Sequence, residues 1–257
     1  MAIPRVLVLR APGTNCDQET AFAFERAGGR AEVVHVNRLL DDPQIPCDFQ
    51  VLCIPGGFSF GDDVAAGKIL ANLIRHHLGA VLAEFKAAGK LILGICNGFQ
   101  VLIKSGLLLD DGNLGPPATL MWNDSGKYED RWVRLLAEPE KCVFLRGIDG
   151  LELPVAHAEG KFVARDPAAL ARLQDQQQLC LRYAGSENGS PLSYPDNPNG
   201  SQADVAGVCD PSGRVFGMMP HPERHIDPTH HPQWTRRPPA ESGDGLQIFR
   251  NAIAYFQ

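Results

Sequence analysis

The chain has 257 residues, 44% hydrophobic and 21% charged, with a formal net charge of −6. That is a globular composition, long enough to bury a sizeable core without covalent staples. The acidic balance and the lack of any long Lys/Arg run argue against a nucleic-acid surface, and no apolar run reaches the ~18 residues that span a bilayer, so neither partner is expected.

Seven cysteines (Cys16, Cys47, Cys53, Cys96, Cys142, Cys180 and Cys209) are scattered without any C-x-x-C pair. Neither a disulfide framework nor a metal site is indicated, and the usage suits a reducing, cytoplasmic setting.

In chain order, "RVLVLRA" predicts a strand and "PGTNCD" a turn. "QETAFAFERAGGR" predicts a helix with Ala21, Phe24 and Ala27 on one face and Gly28-Gly29 as its stop. "AEVVHVN" and "FQVLCIPGG" follow as strands, "AVLAEFKAAGK" as a helix, "KLILGI" as a strand and "GFQVLIKSG" as a helix ending at Gly106. Strands without alternation, separated by helices, predict an α/β fold: a mostly parallel open sheet with helices on both faces. Ligands bind beyond the carboxyl ends of such strands. Both glycine turns, "IPGGFSFGDD" and "GICNG", fall there.

From about residue 116 the pattern changes to an antiparallel extension: "ATLMWNDSGKYEDRWVRLL", "CVFLRGI", "LPVAHAEGKFVA", "LCLRYAG" and "VAGVCDPSGRVFGMMP" all read as strands with turns. "DPAALARLQDQQQ" predicts a helix with Asp166 as N-cap and Pro167 at its first position. "SENGSPLSYPDNPNGSQ" is loop, and "GDGLQIFRNAIAYF" a closing amphipathic helix. With no linker or repeat, residues 1–257 are expected to form one domain.

Gly94-x-Cys96-x-Gly98, after a strand and before a helix, has the pattern of a strained nucleophile elbow with cysteine in place of serine. The helix N-terminus aimed at the sulfur favours thiolate, the reactive species. The Asn97 backbone N–H, next in sequence, is one candidate oxyanion donor, and the Gly57 N–H, after a neighbouring strand, is the second. The plainer alternative is a small core cysteine whose flanking glycines merely permit close strand–helix packing. A phosphate-loop reading of the Gly61 to Lys68 stretch fails, because its spacing is one residue too long and Ile69 stands where Ser or Thr is needed.

A cysteine nucleophile needs a base and something to orient it. Of the eight histidines, His221 in "GMMPHPER" is the best candidate. Glu223, two residues on in an extended chain held by Pro222, is expected to share its side and hold the imidazole. Cys16 is taken as inert, and Asp62-Asp63 as a helix cap.

These residues resemble those of the class I, or triad-type, glutamine amidotransferases, with Cys96, His221 and Glu223 on the family's catalytic positions. "PGTNCD", "PGGFSFGDDVAAGKILA", "GICNGFQVL", "HAEGKF", "YPDNPNGS" and "GMMPHPER" narrow the resemblance to the glutaminase subunits of phosphoribosylformylglycinamidine synthases, over most of the chain. The resemblance implies a flavodoxin-like core and glutamine hydrolysis through a cysteinyl thioester. Ammonia then passes to an ATP-dependent synthetase partner that turns formylglycinamide ribonucleotide into its amidine in purine biosynthesis. It implies no cofactor in this chain, with ATP and magnesium on the synthetase, and leaves open a small accessory subunit. Gly56, Phe58, Gln100, Asn123, Ser125, Arg131 and His157 are candidates for the glutamine pocket or the partner face. A DJ-1-like cysteine hydrolase ranks lower because Asn97, not histidine, follows the cysteine. Service to another synthetase, or an inactive regulatory homologue, also remains open.

Overall fold

The computed structural model describes residues 2–112, 115–185 and 192–257; residues 186–191 of the expected loop lie outside them. The first half contains β1 (Arg5–Arg10), α1 (Asp17–Arg26), β2 (Arg30–His35), α2 (Val36–Asp41), β3 (Val51–Ile54), α3 (Lys68–Leu73), α4 (Gly79–Ala87), β4 (Leu91–Ile95) and α5 (Asn97–Ser105). The second contains β5 (Ala118–Met121), β6 (Glu129–Ala137), β7 (Gly150–His157), β8 (Lys161–Ala164), α6 (Pro167–Asp175), β9 (Leu181–Ala184), β10 (Val205–Cys209), β11 (Val215–Met218) and α7 (Leu246–Ala254).

Among the described residues, nine strands form one sheet in the order β2-β1-β3-β4-β11-β10-β9-β6-β7, and β5 pairs with β8 separately. The pairs from β2 through β11 are parallel, and those from β11 out to β7 are antiparallel. Strands β3, β4 and β11 are buried at every position, as "VLCI", "LILGI" and "VFGM" require of a sheet covered on both faces. β7 alternates buried and more open positions, the signature of one wet face. The expected mostly parallel α/β sheet with an antiparallel extension is therefore observed.

Four local expectations change. β11, in the C-terminal half, joins the parallel set beside β4, with Gly217 opposite Gly94. The strand expected over "AEVVHVN" stops at His35, whose ring accepts the Asn37 N–H at 3.2 Å and caps α2. "CVFLRGI" forms a 3-10 turn over Val143–Leu145 instead of a strand. Its carbonyl neighbourhood is satisfied from α7, where Asn251 Nδ2 donates to Phe144 O (2.9 Å) and Arg146 O (2.8 Å). Ahead of α4, α3 and a π turn over Ile74–Leu78 were not expected at all. The Asp166 cap is as expected, accepting the Ala169 N–H at 2.7 Å.

Candidate active site

Cys96 joins β4 to α5 with φ +51° and ψ −105°, a conformation that an L-residue adopts only when its surroundings impose it. They do so through backbone bonds. The Cys96 N–H donates to Met218 O at 2.7 Å, and Cys96 O accepts from the Phe99 and Gln100 N–H groups at 3.0 and 3.2 Å. The flanking glycines are obligatory for contact. A Cβ on Gly98 would lie 1.8 Å from Ile54 O, and one on Gly94 would lie 2.6 Å from Gly98 O. The Cys96 thiol is nearly buried, with Ala156 O of β7 3.6 Å from its sulfur.

His221 follows β11, its N–H held by Pro154 O at 2.8 Å. Its Nδ1 lies 2.6 Å from Glu223 Oε1, and both side chains are buried. The pairing is as expected but its backbone is not. Pro222–Arg224 is a 3-10 turn, not extended chain, because Pro222 with its fixed φ starts the turn at its first position. Burial works against a charged His221, yet the Glu223 carboxylate and Cys96 outweigh it and hold the imidazole well above its ordinary pKa. Its Nε2 is buried with no hydrogen-bond partner among the described residues. Gly56 makes room for the ring, since a Cβ there would meet His221 Cε1 at 2.7 Å.

Cys96, His221, Gly57, Phe58, Tyr128 and Arg224 are among the residues lining one cavity of about 40 Å³. Gly57, at φ +143°, could carry no side chain: a Cβ would lie 2.8 Å from Gly13 O and Asn15 N. The Asn97 N–H is the first of α5, a position with no intrahelical acceptor. The Asn97 side chain is spent on the scaffold. Its Oδ1 accepts the Ser59 N–H (3.1 Å), and its Nδ2 donates to Asp62 Oδ1 (3.1 Å) and Gln100 Oε1 (2.9 Å). Phe58 and Tyr128 are half-exposed with ring centroids 6.4 Å apart.

The other sequence candidates do not converge on the cavity. Gln100 Nε2 donates to Glu159 O at 2.7 Å, so both ends of its amide serve the scaffold. Asn123 ties its loop to Lys127 O, His157 O and the Gly160 N–H. Ser125 and Arg131 meet instead at Glu129, 2.9 and 2.7 Å away. His157 is buried with Nδ1 3.1 Å from Asn123 Oδ1, and its Nε2 has no partner among the described residues. Burial, then the charge on His221, push its pKa down to about 3, so it is neutral.

Cys16, expected to be inert, stands where no local sequence signal placed it. It lines the cavity, 4.0 Å from His221 Nδ1, and accepts from Arg224 Nη2 at 3.2 Å. Cys16, His221 and Glu223 bring S, N and O donors within 4.8 Å of one another, but the Arg224 guanidinium supplies the cation there. Burial raises the Cys16 thiol pKa, which leaves it a weak nucleophile. Tyr128 and Arg224 were also missed, since nothing local in "GKYEDR" or "HPER" says that these side chains face a thiol.

A strained cysteine turn at the carboxyl ends of a parallel sheet defines an α/β enzyme with a cysteine nucleophile, and comparison with known proteins narrows that class. The model of the CobB/CobQ-like glutamine amidotransferase domain matches residues 3–256, and the chain belongs to that family. Within it, the chain is 45% identical over 256 residues to the phosphoribosylformylglycinamidine synthase subunit PurQ of Dehalococcoides mccartyi, covering 99% of this chain and 98% of the relative. It is 41% identical over 268 residues to the PurQ subunit of Methanococcus maripaludis, covering 99% and 98%. Among solved structures, PurLQS from Thermotoga maritima contains a chain that aligns over 100% of both, with TM-score 0.74 and 31% identity.

Proposed function

We infer that this chain is the glutaminase subunit of a phosphoribosylformylglycinamidine synthase, working with a synthetase subunit and a small accessory subunit in purine biosynthesis. The similarity to PurQ subunits along nearly the whole chain supports the activity, and the likeness to a chain of PurLQS supports the partners. The observation that carries the chemistry is the placement of Cys96 and the His221–Glu223 pair on one cavity.

In this reading the Cys96 thiolate attacks the side-chain amide carbon of glutamine. The Gly57 and Asn97 N–H groups receive the oxyanion, which they stabilise most when water is excluded. His221, held by Glu223, gives its proton to the departing amine, and ammonia leaves. The same imidazole then takes a proton from water as it attacks the thioester, releasing glutamate and the thiol. The raised pKa of His221 suits the first of these transfers. Cys16 and Arg224 border the imidazole and help fix its position. ATP and magnesium belong to the synthetase, which uses the ammonia to convert the formyl amide into the amidine. A cytoplasmic location fits this pathway, and no helix among the described residues is long and apolar enough to cross a membrane.

A cavity of about 40 Å³ holds a water molecule, not glutamine. Glutamine binding therefore requires the cavity to widen, and Phe58 and Tyr128 are half-exposed rings that line it. The test is a glutamine-analogue electrophile applied to the assembled complex. Labelling of Cys96 ahead of the other six thiols is expected, and preferential labelling of any other cysteine overturns the assignment.

A further inference from the structure

The opposite end of the sheet carries a second concentration of sulfur. Cys142 precedes the Val143–Leu145 turn, Cys180 precedes β9, and Cys209 ends β10. All three are fully buried, with sulfurs within 4.8 Å of one another. Cys209 lies opposite Phe216 of β11, whereas Met218, at the other end of that strand, lies opposite Ile95 beside the elbow. The trio thus sits away from the cavity and takes no part in its chemistry.

Backbone bonds hold the triangle. The Cys209 N–H donates to Gln178 O and Gln178 Nε2 donates to Cys209 O, both at 2.9 Å. Cys180 O accepts the Glu138 N–H at 2.8 Å, and Cys142 O accepts the Leu145 N–H at 3.1 Å. Burial pushes the Cys142 and Cys180 thiols up.

We propose that Cys142, Cys180 and Cys209 form a binding site for one thiolate-seeking cation of the zinc class. Zn–S bonds of about 2.3 Å place ligand sulfurs roughly 4 Å apart, so the trio needs only a small contraction. Oxygen donors border it: Gln177 O is 3.9 Å from Cys209 Sγ and Gly207 O is 4.0 Å from Cys180 Sγ. On binding, three metal–sulfur bonds form and three S–H bonds break, so a dication and three thiols become a tris-thiolate complex of charge −1 and three protons released to solvent. Lys141, next to Cys142 in the chain, offsets that charge. Because the sulfurs are enclosed, the ion enters as the chain folds.

The experiment refolds the full-length chain with one equivalent of Zn²⁺ or, separately, Co²⁺, in a Cys16→Ala/Cys96→Ala background so that cavity thiols do not contribute. Expected are one zinc retained per chain after dialysis, thiolate-to-cobalt charge-transfer bands, and at least ~100-fold weaker binding in Cys209→Ser, a larger loss than outer-shell changes cause. If Ser at 209 prevents folding, Cys142→Ala and Cys180→Ala carry the same expectation. No retained metal, no thiolate bands, or equal retention by the Cys142→Ala, Cys180→Ala and Cys209→Ser variants would each overturn the proposal.

Discussion

Glycines around the elbow and glycines of open turns serve opposite purposes. Around β3, β4 and β11, Gly98 stands against Ile54 O and Gly94 against Gly98 O, while Gly56 makes room for the His221 ring. In the antiparallel half, Gly126 and Gly147 sit in open turns with φ +63° and +67°, and a Cβ on either would meet nothing within 4 Å. The first group sets distances between elements; the second only turns the chain. A cysteine elbow depends on the first kind, since a shift of its backbone moves the sulfur relative to His221. Open turns such as those at Gly126 and Gly147 can vary without that penalty, whereas Gly213, where a Cβ would lie 2.0 Å from Lys141 O, cannot.

The largest effect should come from the residue that the parallel half exists to hold. In the assembled complex, Cys96→Ala should lower glutamine-dependent amidine synthesis by more than ~10³-fold, in line with loss of a covalent nucleophile. Synthesis from added ammonium should be unchanged. Parallel assays with the two nitrogen sources check this; retained glutamine use would remove Cys96 from the mechanism.

Gly98→Ala should come next, as loss of structure. The new Cβ would sit 1.8 Å from Ile54 O, a backbone atom that cannot swing aside. Either β3 or the elbow must move, at a cost of about 3–5 kcal/mol, the range of severe core disruption. Urea denaturation should show a much lower midpoint or no folded baseline, and circular dichroism should separate these outcomes.

How much of this was legible depended on whether the cause was local. The buried strands were readable because "VLCI" and "LILGI" are continuous apolar runs, and the elbow because its glycines and cysteine are consecutive. The His221–Glu223 pair was found from its spacing, although the backbone that delivers it is a tight turn. The position of Cys16 at the cavity was not legible because its partners, His221 and Arg224, lie more than two hundred residues away. The thiol trio was invisible for a similar reason. Positions 142, 180 and 209 have no ligand-like spacing, and only the pairing of β9 with β10 brings two of them together. "CVFLRGI" misled because its apolar side chains are buried by packing, while the carbonyls of Phe144 and Arg146 bond to Asn251 and not to a neighbouring strand.

His157 ends β7 in the antiparallel half, yet feels the charge on His221, so it couples the two regions through pH. Its folded pKa of about 3 lies below the ordinary 6.5. Between those values the unfolded chain binds a proton that the native chain refuses. This contribution to stability is therefore fully present above pH 6.5 and is lost as pH falls towards 3, by about 1.4 kcal/mol per unit. His157→Asn keeps a donor for Asn123 Oδ1 and removes the titration. Between pH 7 and pH 5 the variant should lose about 2 kcal/mol less stability than the parent, read from urea midpoints at each pH. Equal acid sensitivity would mean that His157 already accepts a proton in the folded chain.

The smallest effect belongs to the open turns. Gly147→Ala places a Cβ in empty space, so its cost is only that of holding an L-residue at φ +67°, about 1–2 kcal/mol. Gly147→Asn should cost less, because asparagine tolerates the left-handed region. Both variants should keep full glutaminase activity in the complex, with a lower denaturation midpoint and an unchanged dependence on urea. The pair isolates conformational strain from contact, which Gly98→Ala cannot do. If Gly147→Ala proved as damaging as Gly98→Ala, the turn would be setting distances between elements too, and the division between contact glycines and turn glycines would fail.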